Sequence, residues 1–507
     1  MAGAIPLVNS PAVATEERGS SRVIAGLETA IFVCVVAIAL CAPLSIKGSV
    51  NSFRAATVLF LVLLFTGKFK VVRQPLAVPL LVFLVLTAIS SAFSVDPLLS
   101  WGRMRSVALV LLAIVAGQTI RSWKQVKIVV GALLTACLVT VIYTGWQYTA
   151  GIGVQARGNQ AALASLQHLG LAPGDCIRKV GDQAIRSPDS LIGRLRDAAG
   201  PVKLTLARET PNGLQSVVIN PLPQPMLAAL QRPGIELVRG HPPRAQGFYK
   251  HYFPFSEVLV FAGLLVWALA ISSSDLRQRI ALILCFLAIS TAILLTLTRI
   301  SLASLLLAAF VIAVIQAKRR WLLLAAFVVV CLAGIYWIQR HRVPAATDGT
   351  DPGTEYRLVI WKDSLKLIKA HPFLGVGLDS VAGDWQRWDL EAYRRFPLHS
   401  HFHSTPIQLA VECGLPALAV WIWLIVAYAR FLVYLERSLP QPERFARGLT
   451  LGVLGGLIAF VVTGFLQYNF GDAEPMVIFW LTMGLVFAVE RLVRTVPSEP
   501  IPAASGV

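Results

Sequence analysis

Three histidines at spacing two, His399, His401 and His403, stand shortly before an apolar run that opens at Cys413. An imidazole titrates near working pH and can take a proton from a hydroxyl. Upstream, Arg299 interrupts two apolar runs, where a charge is costly unless it is hydrated or paired. Arg357 opens a segment, Tyr356–Lys369, whose apolar residues Leu358, Trp361, Leu365 and Ile368 follow spacings of three, four and three. That period predicts an amphipathic helix lying on or near a membrane surface. A metal centre is not expected: spacing two leaves little room for the trio to converge, and no carboxylate or thiol stands within a few residues. His399 and His401 read as polar loop residues that support the site, and Lys362 with Arg394–Arg395 as solvated or headgroup-facing charges.

The elements that must position these groups are membrane helices. Of 507 residues, 56% are hydrophobic and 14% charged, which excludes an ordinary soluble enzyme and a disordered chain. A span needs about 20 mostly apolar residues, and twelve runs qualify, at roughly 24–45, 54–67, 75–94, 104–120, 128–149, 253–272, 280–298, 300–317, 321–338, 413–434, 448–467 and 475–490. Residues 1–22 carry Glu16, Glu17, Arg18 and Arg22 and do not form a cleavable signal. The net charge of +18 would suggest nucleic acid in a soluble protein. Here Lys68, Lys70, Arg73, Arg121, Lys124, Lys127, Arg277, Arg279, Lys318–Arg320, Arg437, Arg444, Arg447, Arg491 and Arg494 fall on one side once the runs are threaded in order. That side should be the cytoplasm, holding both termini, 1–22 and 491–507, so most of the charge fixes orientation and no nucleic acid is implied. The seven cysteines, mostly inside apolar runs, form no disulfide framework. Two long segments, roughly 150–252 and 339–412, lie on the opposite side.

Within the first, residues 154–222 are hydrophilic and punctuated by glycine and proline. Gly174-Asp175 and Gly181-Asp182 mark turns around a strand Cys176–Val180; Ser187–Ala198 reads as a helix capped by Ser187; Val202–Arg208 and Gln215–Ile219 read as strands. The run from Gly170-Leu171 through Pro173-Gly174-Asp175 to Val180-Gly181-Asp182 resembles the bacterial PDZ pattern. That resemblance implies a small α+β module able to take an extended peptide tail by strand addition. No HExxH occurs in the apolar runs, which disfavours an intramembrane metalloprotease carrying such a module.

In the second segment and around it, Arg357 and Trp361, His371-Pro372 with Gly375-Val376-Gly377, and His403 followed by Glu412 and Gly414 resemble the C-terminal signature of the O-antigen ligase and polymerase superfamily. Arg244-Ala245-Gln246-Gly247-Phe248 and Thr298-Arg299-Ile300 resemble two further motifs of it, with Ser404 and Thr298 replacing the usual Asn and Ser. The resemblance spans about 240–430. It implies an all-α, glycosyltransferase-C-like fold of about twelve transmembrane helices: helices 1–5 within 23–150, a periplasmic linker followed by helices 6–9 within 223–338, a periplasmic catalytic loop at 339–412, and the last three within 413–490.

The same resemblance implies an inner-membrane enzyme that works without metal or cofactor. It would take a glycan on undecaprenyl diphosphate to an acceptor hydroxyl of the lipid A core, on the periplasmic side and among membrane lipids. His403 would be the general base, Arg299 and Arg357 the diphosphate clamp, Arg244 a further cation, and Trp361, His399 and His401 would line the substrate. Three alternatives stay open: a repeat-unit polymerase, a protein O-oligosaccharyltransferase, and a polysaccharide transporter with a regulatory PDZ-like module.

Overall fold

The computed structural model describes residues 11–494 except 211–212, 242–243, most of 317–351, 384, 397–400 and 441–442. Among the described residues ten helices are long and apolar enough to cross a membrane: Arg22–Cys41, Ile46–Phe65, Pro97–Thr119, Trp123–Ala150, Tyr252–Ser272, Leu276–Leu295, Arg299–Gln316, Thr405–Ser438, Arg444–Gly464 and Ala473–Arg494. Ala77–Ala92 is a shorter apolar helix. The run expected at 321–338 lies outside the described residues. The chain is thus a multi-pass membrane protein.

Tyr252–Ser272, Arg444–Gly464 and Ala473–Arg494 form the buried centre of the bundle. Glycines let two of them meet closely: a Cβ at Gly452 would lie 2.7 Å from the Leu265 Cα, and one at Gly456 2.6 Å from the Phe261 ring. Small residues at a helix crossing let backbones approach where lipid offers no hydrophobic driving force.

Contacts between loops sort the helix ends into two sets. At one end the Arg491 guanidinium donates to the carbonyls of Gly117 (2.8 Å) and Ile120, and Arg121 pairs with Glu28 at 2.7 Å. At the other, Thr140 donates to the Pro43 carbonyl (3.1 Å), the Ala245 N–H to Leu295 (2.9 Å), the Val95 N–H to Val376 (3.1 Å) and the Thr405 N–H to Gln467 (3.1 Å). The basic loops around Arg121, Lys124 and Arg491 share the first end. Both long polar segments share the second.

One of these segments holds a six-stranded antiparallel sheet: β1 (Gly153–Gly158), β2 (Cys176–Val180), β3 (Gln183–Ala184), β4 (Leu204–Thr210), β5 (Gly213–Ile219) and β6 (Ile235–Gly240). The order is β5-β4-β2-β1-β6, with β3 paired to β2. Helices Gln160–Gln167, Pro188–Arg196 and Pro223–Leu230 pack on it around Ile177, Leu191, Leu195, Leu204, Leu206 and Met226. Ser187 caps Pro188–Arg196 through a reciprocal bond pair with Ser190. Buried Asp175 accepts from the Ala172 N–H (2.8 Å) and from Arg208 (2.6 Å), which closes the Gly174-Asp175 turn.

The sheet runs beyond 154–222, because β6 pairs with β1 along its whole length, from Gly158↔Ile235 to Gly153↔Gly240. Residues 223–240 belong to it and are not a linker. The edges of the main strand path are therefore β5 and β6. The same pairing ties the start of the domain to its exit and holds it to the helix end through the Ile152 N–H, which donates to the Gly240 carbonyl at 2.8 Å.

Candidate active site

Helix Pro352–Ala370 forms as the apolar period predicts and stops before Pro372. It uses two faces. Ile360 and Leu367 are buried with Phe402 and Val411, whereas Leu358 and Leu365 are exposed. The exposed pair suits contact with lipid, whereas Trp361 and Ile368, the other two residues of the periodic set, pack partly buried against the Phe402 cluster. Tyr356, Arg357 and Trp361 sit within about one and a half turns. The Trp361 indole N–H donates to the Phe402 carbonyl at 2.9 Å, and the Tyr356 ring meets the His403 ring edge-on at 5.4 Å. The Arg357 charge is among the causes that hold His403 and His401 below the ordinary histidine pKa.

His401 and His403 do not lie on a strand. His403 has φ +49°, a left-handed conformation uncommon for a side chain of its size, and its ring lies 4.2 Å from that of His401. The His403 backbone N–H donates to His401 Nδ1 at 3.1 Å, so His401 carries its proton on Nε2. His403 Nδ1 lies 2.7 Å from Gln467 Oε1. An amide oxygen only accepts, so Nδ1 donates and Nε2 keeps its lone pair. Burial pushes the His403 pKa down to about 4, opposed by the Gln467 bond and reinforced by Arg357 and His251. Burial also lowers His401 well below the ordinary range. His399 lies outside the described residues.

The helix that follows begins at Thr405, earlier than the apolar run at 413–434 predicts. The reason is a break at Gly414 (φ +82°, ψ 169°), which joins a short leading segment to the main span. Residues Pro372–Gly377 lie against this break. The Leu415 N–H donates to the Pro372 carbonyl (2.8 Å), and the Val376 and Gly377 N–H groups to Val411 and Glu412 (both 2.9 Å). A Cβ at Gly414 would sit 2.2 Å from the Phe373 oxygen, and one at Gly375 2.4 Å from the Glu412 carbonyl. The two glycine motifs are therefore two halves of one contact. Glu412, buried there, accepts from the Asp379 N–H at 2.8 Å and from the Tyr468 hydroxyl at 3.4 Å, and Asp379 meets Arg103 at 3.6 Å.

The remaining arginines approach from another side. Arg244 lies over the Tyr252 ring at 4.2 Å; Tyr252 stacks on His251 at 4.3 Å; and His251 is one of the charges that depress His401 and His403. Arg299 is exposed in the first turn of its helix. Ser301, two residues on, shares a 2.8 Å hydrogen bond with Ser256, one turn past Tyr252. Arg299 and Arg244 thus occupy neighbouring helix ends, and Arg357 is the predicted arginine whose charge reaches His403. Among the described residues no group of three or more His, Cys, Asp or Glu could hold a metal.

Sequence reasoning missed His251, Arg103, Asp379, Gln467 and Tyr468. The last two stand in the loop between helices Arg444–Gly464 and Ala473–Arg494, Gln467 at the very end of the apolar run at 448–467, where a polar residue is the one signal. Asp472 in that loop is pushed up to about 7 by burial, with Glu474 adding to the shift and Arg103 opposing it.

Residues 280–422 match the family model described as O-antigen ligase. A Rickettsia conorii protein named "Putative polysaccharide ligase RC0486" is 26% identical over 140 residues, which cover 27% of this chain and 31% of the relative. The matched stretch of the family model holds Arg299, Arg357, Trp361, His401, His403 and the glycine contact. The similarity to the O-antigen ligase model is thus confined to residues 280–422, and the chain matches about a third of the length of the Rickettsia conorii relative.

Proposed function

We propose that this protein moves a glycan from a lipid diphosphate carrier, of the undecaprenyl type, to an acceptor hydroxyl at the non-cytoplasmic face of a bacterial inner membrane. The observation that carries this reading is the His403–Gln467 pair beside Arg357. The His403 imidazole, bonded through Nδ1 to Gln467, keeps its lone pair on Nε2 within reach of the Arg357 charge, just before a membrane helix.

In the reaction the acceptor oxygen attacks the anomeric carbon, the bond from that carbon to the diphosphate oxygen breaks, and the hydroxyl proton passes to His403 Nε2. Charge builds on the leaving diphosphate, where Arg357, with Arg299 and Arg244 at the adjacent helix ends, stabilises it. The low pKa of His403 keeps the base unprotonated in the empty site. A bound diphosphate supplies the negative charge that raises its proton affinity when the proton must move. The basic loop residues at the opposite end fit the cytoplasmic side.

The preferred acceptor is the lipid A core, which makes the protein an O-antigen ligase. His403→Ala, expressed in a deletion strain, tests the chemistry: surface glycan should be absent. Unchanged surface glycan would sink glycosyl transfer and favour transport. The gel profile of the deletion separates acceptors. Long lipid-linked chains that fail to reach the core mark a ligase, a core bearing a single repeat marks a polymerase, and loss of glycan from protein alone marks a protein O-oligosaccharyltransferase.

A further inference from the structure

The end of helix Trp123–Ala150, strand β2 and the loop Gln246–Tyr249 line a cleft of about 180 Å³. Its walls include Tyr143, Gln147, Arg178, Gln246 and Phe248. Phe248 stacks on Tyr143 with centroids 4.1 Å apart and planes 7° apart, and remains 44% exposed. Gln147 is only 8% exposed, yet its side-chain carbonyl oxygen has no hydrogen-bond partner. The cleft is built and not incidental. Gly247 has φ +54°, and a Cβ there would lie 2.6 Å from the Phe255 ring and 2.9 Å from the Thr140 methyl, so the loop backbone is pressed against the bundle. The Tyr249 hydroxyl also donates to the Ala42 carbonyl and fixes the end of the loop.

The chemistry of the walls selects an occupant. A buried acceptor oxygen without a partner asks for a donor. That disfavours phosphate and carboxylate, which only accept, and Arg178 disfavours a cation. A neutral polyhydroxyl ring answers both conditions. Its hydroxyls can donate to Gln147 and exchange hydrogen bonds with Gln246, accept from Arg178, and its C–H face can lie on Phe248. We infer that this cleft is a sugar-binding subsite that holds one ring of the donor or acceptor glycan, with the β-sheet domain supplying a wall through Arg178. The inference rests on the glycan-transfer reading and gives the inserted domain a part in substrate recognition. Arg244 stands two residues before Gln246, so a sugar in the cleft lies one short loop away from the groups proposed to act on the diphosphate.

The test uses the full chain in lipid nanodiscs. Two measurements are made on wild type, Gln147→Leu, Phe248→Ala and the conservative Phe248→Tyr. The first is transfer kinetics with the lipid-linked donor and the acceptor varied in turn. Loss of one hydrogen bond or one stacking face should raise the KM of one glycan substrate about fivefold to tenfold with little change in kcat, and Phe248→Tyr should restore it. The substrate whose KM moves identifies which glycan sits there.

The second is quenching of tryptophan fluorescence, Trp146 being next to Gln147, by oligosaccharide released by mild acid from the surface glycan of the producing bacterium. It is measured also in His403→Ala protein, where no transfer is expected. Saturable quenching lost in Gln147→Leu supports the subsite even if His403→Ala proves active and the catalytic assignment fails. The inference is overturned if neither KM moves in variants that melt like wild type, if only kcat falls, if wild type shows no saturable quenching, or if inorganic diphosphate competes for the cleft.

Discussion

His403 Nδ1 and Gln467 Oε1 lie 2.7 Å apart across 64 residues of chain, joining the segment before one membrane helix to the loop between the last two. That single bond sets which nitrogen of the base is open. Gln467→Leu should lower transfer by about tenfold or more by releasing the tautomer, in the range of positioned acid–base groups. Because the Gln467 bond raises the His403 pKa, its loss moves the acid limb of the pH–rate profile to lower pH, while Gln467→Glu moves it up. Rate profiles of the two variants check both signs; a shift in the opposite direction would remove Gln467 from this role.

Arg357→Ala should cost transfer about tenfold to a hundredfold, the scale of a lost charge-assisted hydrogen bond. Arg357 also holds His403 down, so its removal raises the base pKa and moves the acid limb toward neutral pH. Arg357→Lys keeps the charge and should leave the limb in place while losing the planar fork. A steady-state series from pH 4 to 8 separates the charge effect from the geometric one.

Protein stability should fall as the medium is acidified from the ordinary histidine range toward pH 4. The folded state holds His403 neutral, down to a pKa of about 4, whereas the unfolded chain protonates it near 6.5. Across that interval the unfolded state binds more protons, so unfolding is favoured as pH drops. His401 acts in the same direction. Melting in detergent should show a steeper acid slope for wild type than for a His401→Gln, His403→Gln double variant; equal slopes would contradict the burial of both rings.

Trp361→Phe deletes the indole donor to the Phe402 carbonyl and keeps most of the packing. The expected cost is about 1 kcal/mol of stability, with transfer reduced several-fold because the histidine segment loses an anchor. Thermal melting and initial rates on the same preparation check it, and an unchanged rate would show that Phe402 is held by other contacts.

Gly414→Ala should be severe without touching any charged group. The residue has φ +82° and its added Cβ would meet the Phe373 oxygen at 2.2 Å. Left-handed strain alone costs about 1–3 kcal/mol, and the clash adds to it. Reduced yield of folded protein is expected, whereas Ala at Gly131, where nothing lies within 4 Å, should be tolerated.

Readable from residues alone are the membrane class, the order of the apolar helices, the strands around Gly174-Asp175, and Arg357, Trp361, His403 and Gly414 as members of short motifs. Each rests on a local rule: hydropathy over one span, the period of a helix, the turn chemistry of glycine, or a short motif. Tertiary structure decided what these rules cannot reach. The partner of His403 is Gln467, an ordinary polar residue in a short loop, and no spacing links it to the histidine. The meeting of Pro372–Gly377 with the break at Gly414 gives the two glycine motifs one shared cause. Arg244 connects to His251 through the Tyr252 ring, Arg299 and Arg244 take neighbouring helix ends, and Arg357 is a predicted arginine whose charge perturbs His403. The sheet domain reaches past residue 222 because β6 returns to pair with β1. In every case the physical reason is the same: side-chain hydrogen bonds and charges act over a few ångströms in space, and chain folding brings together residues that sequence distance keeps apart.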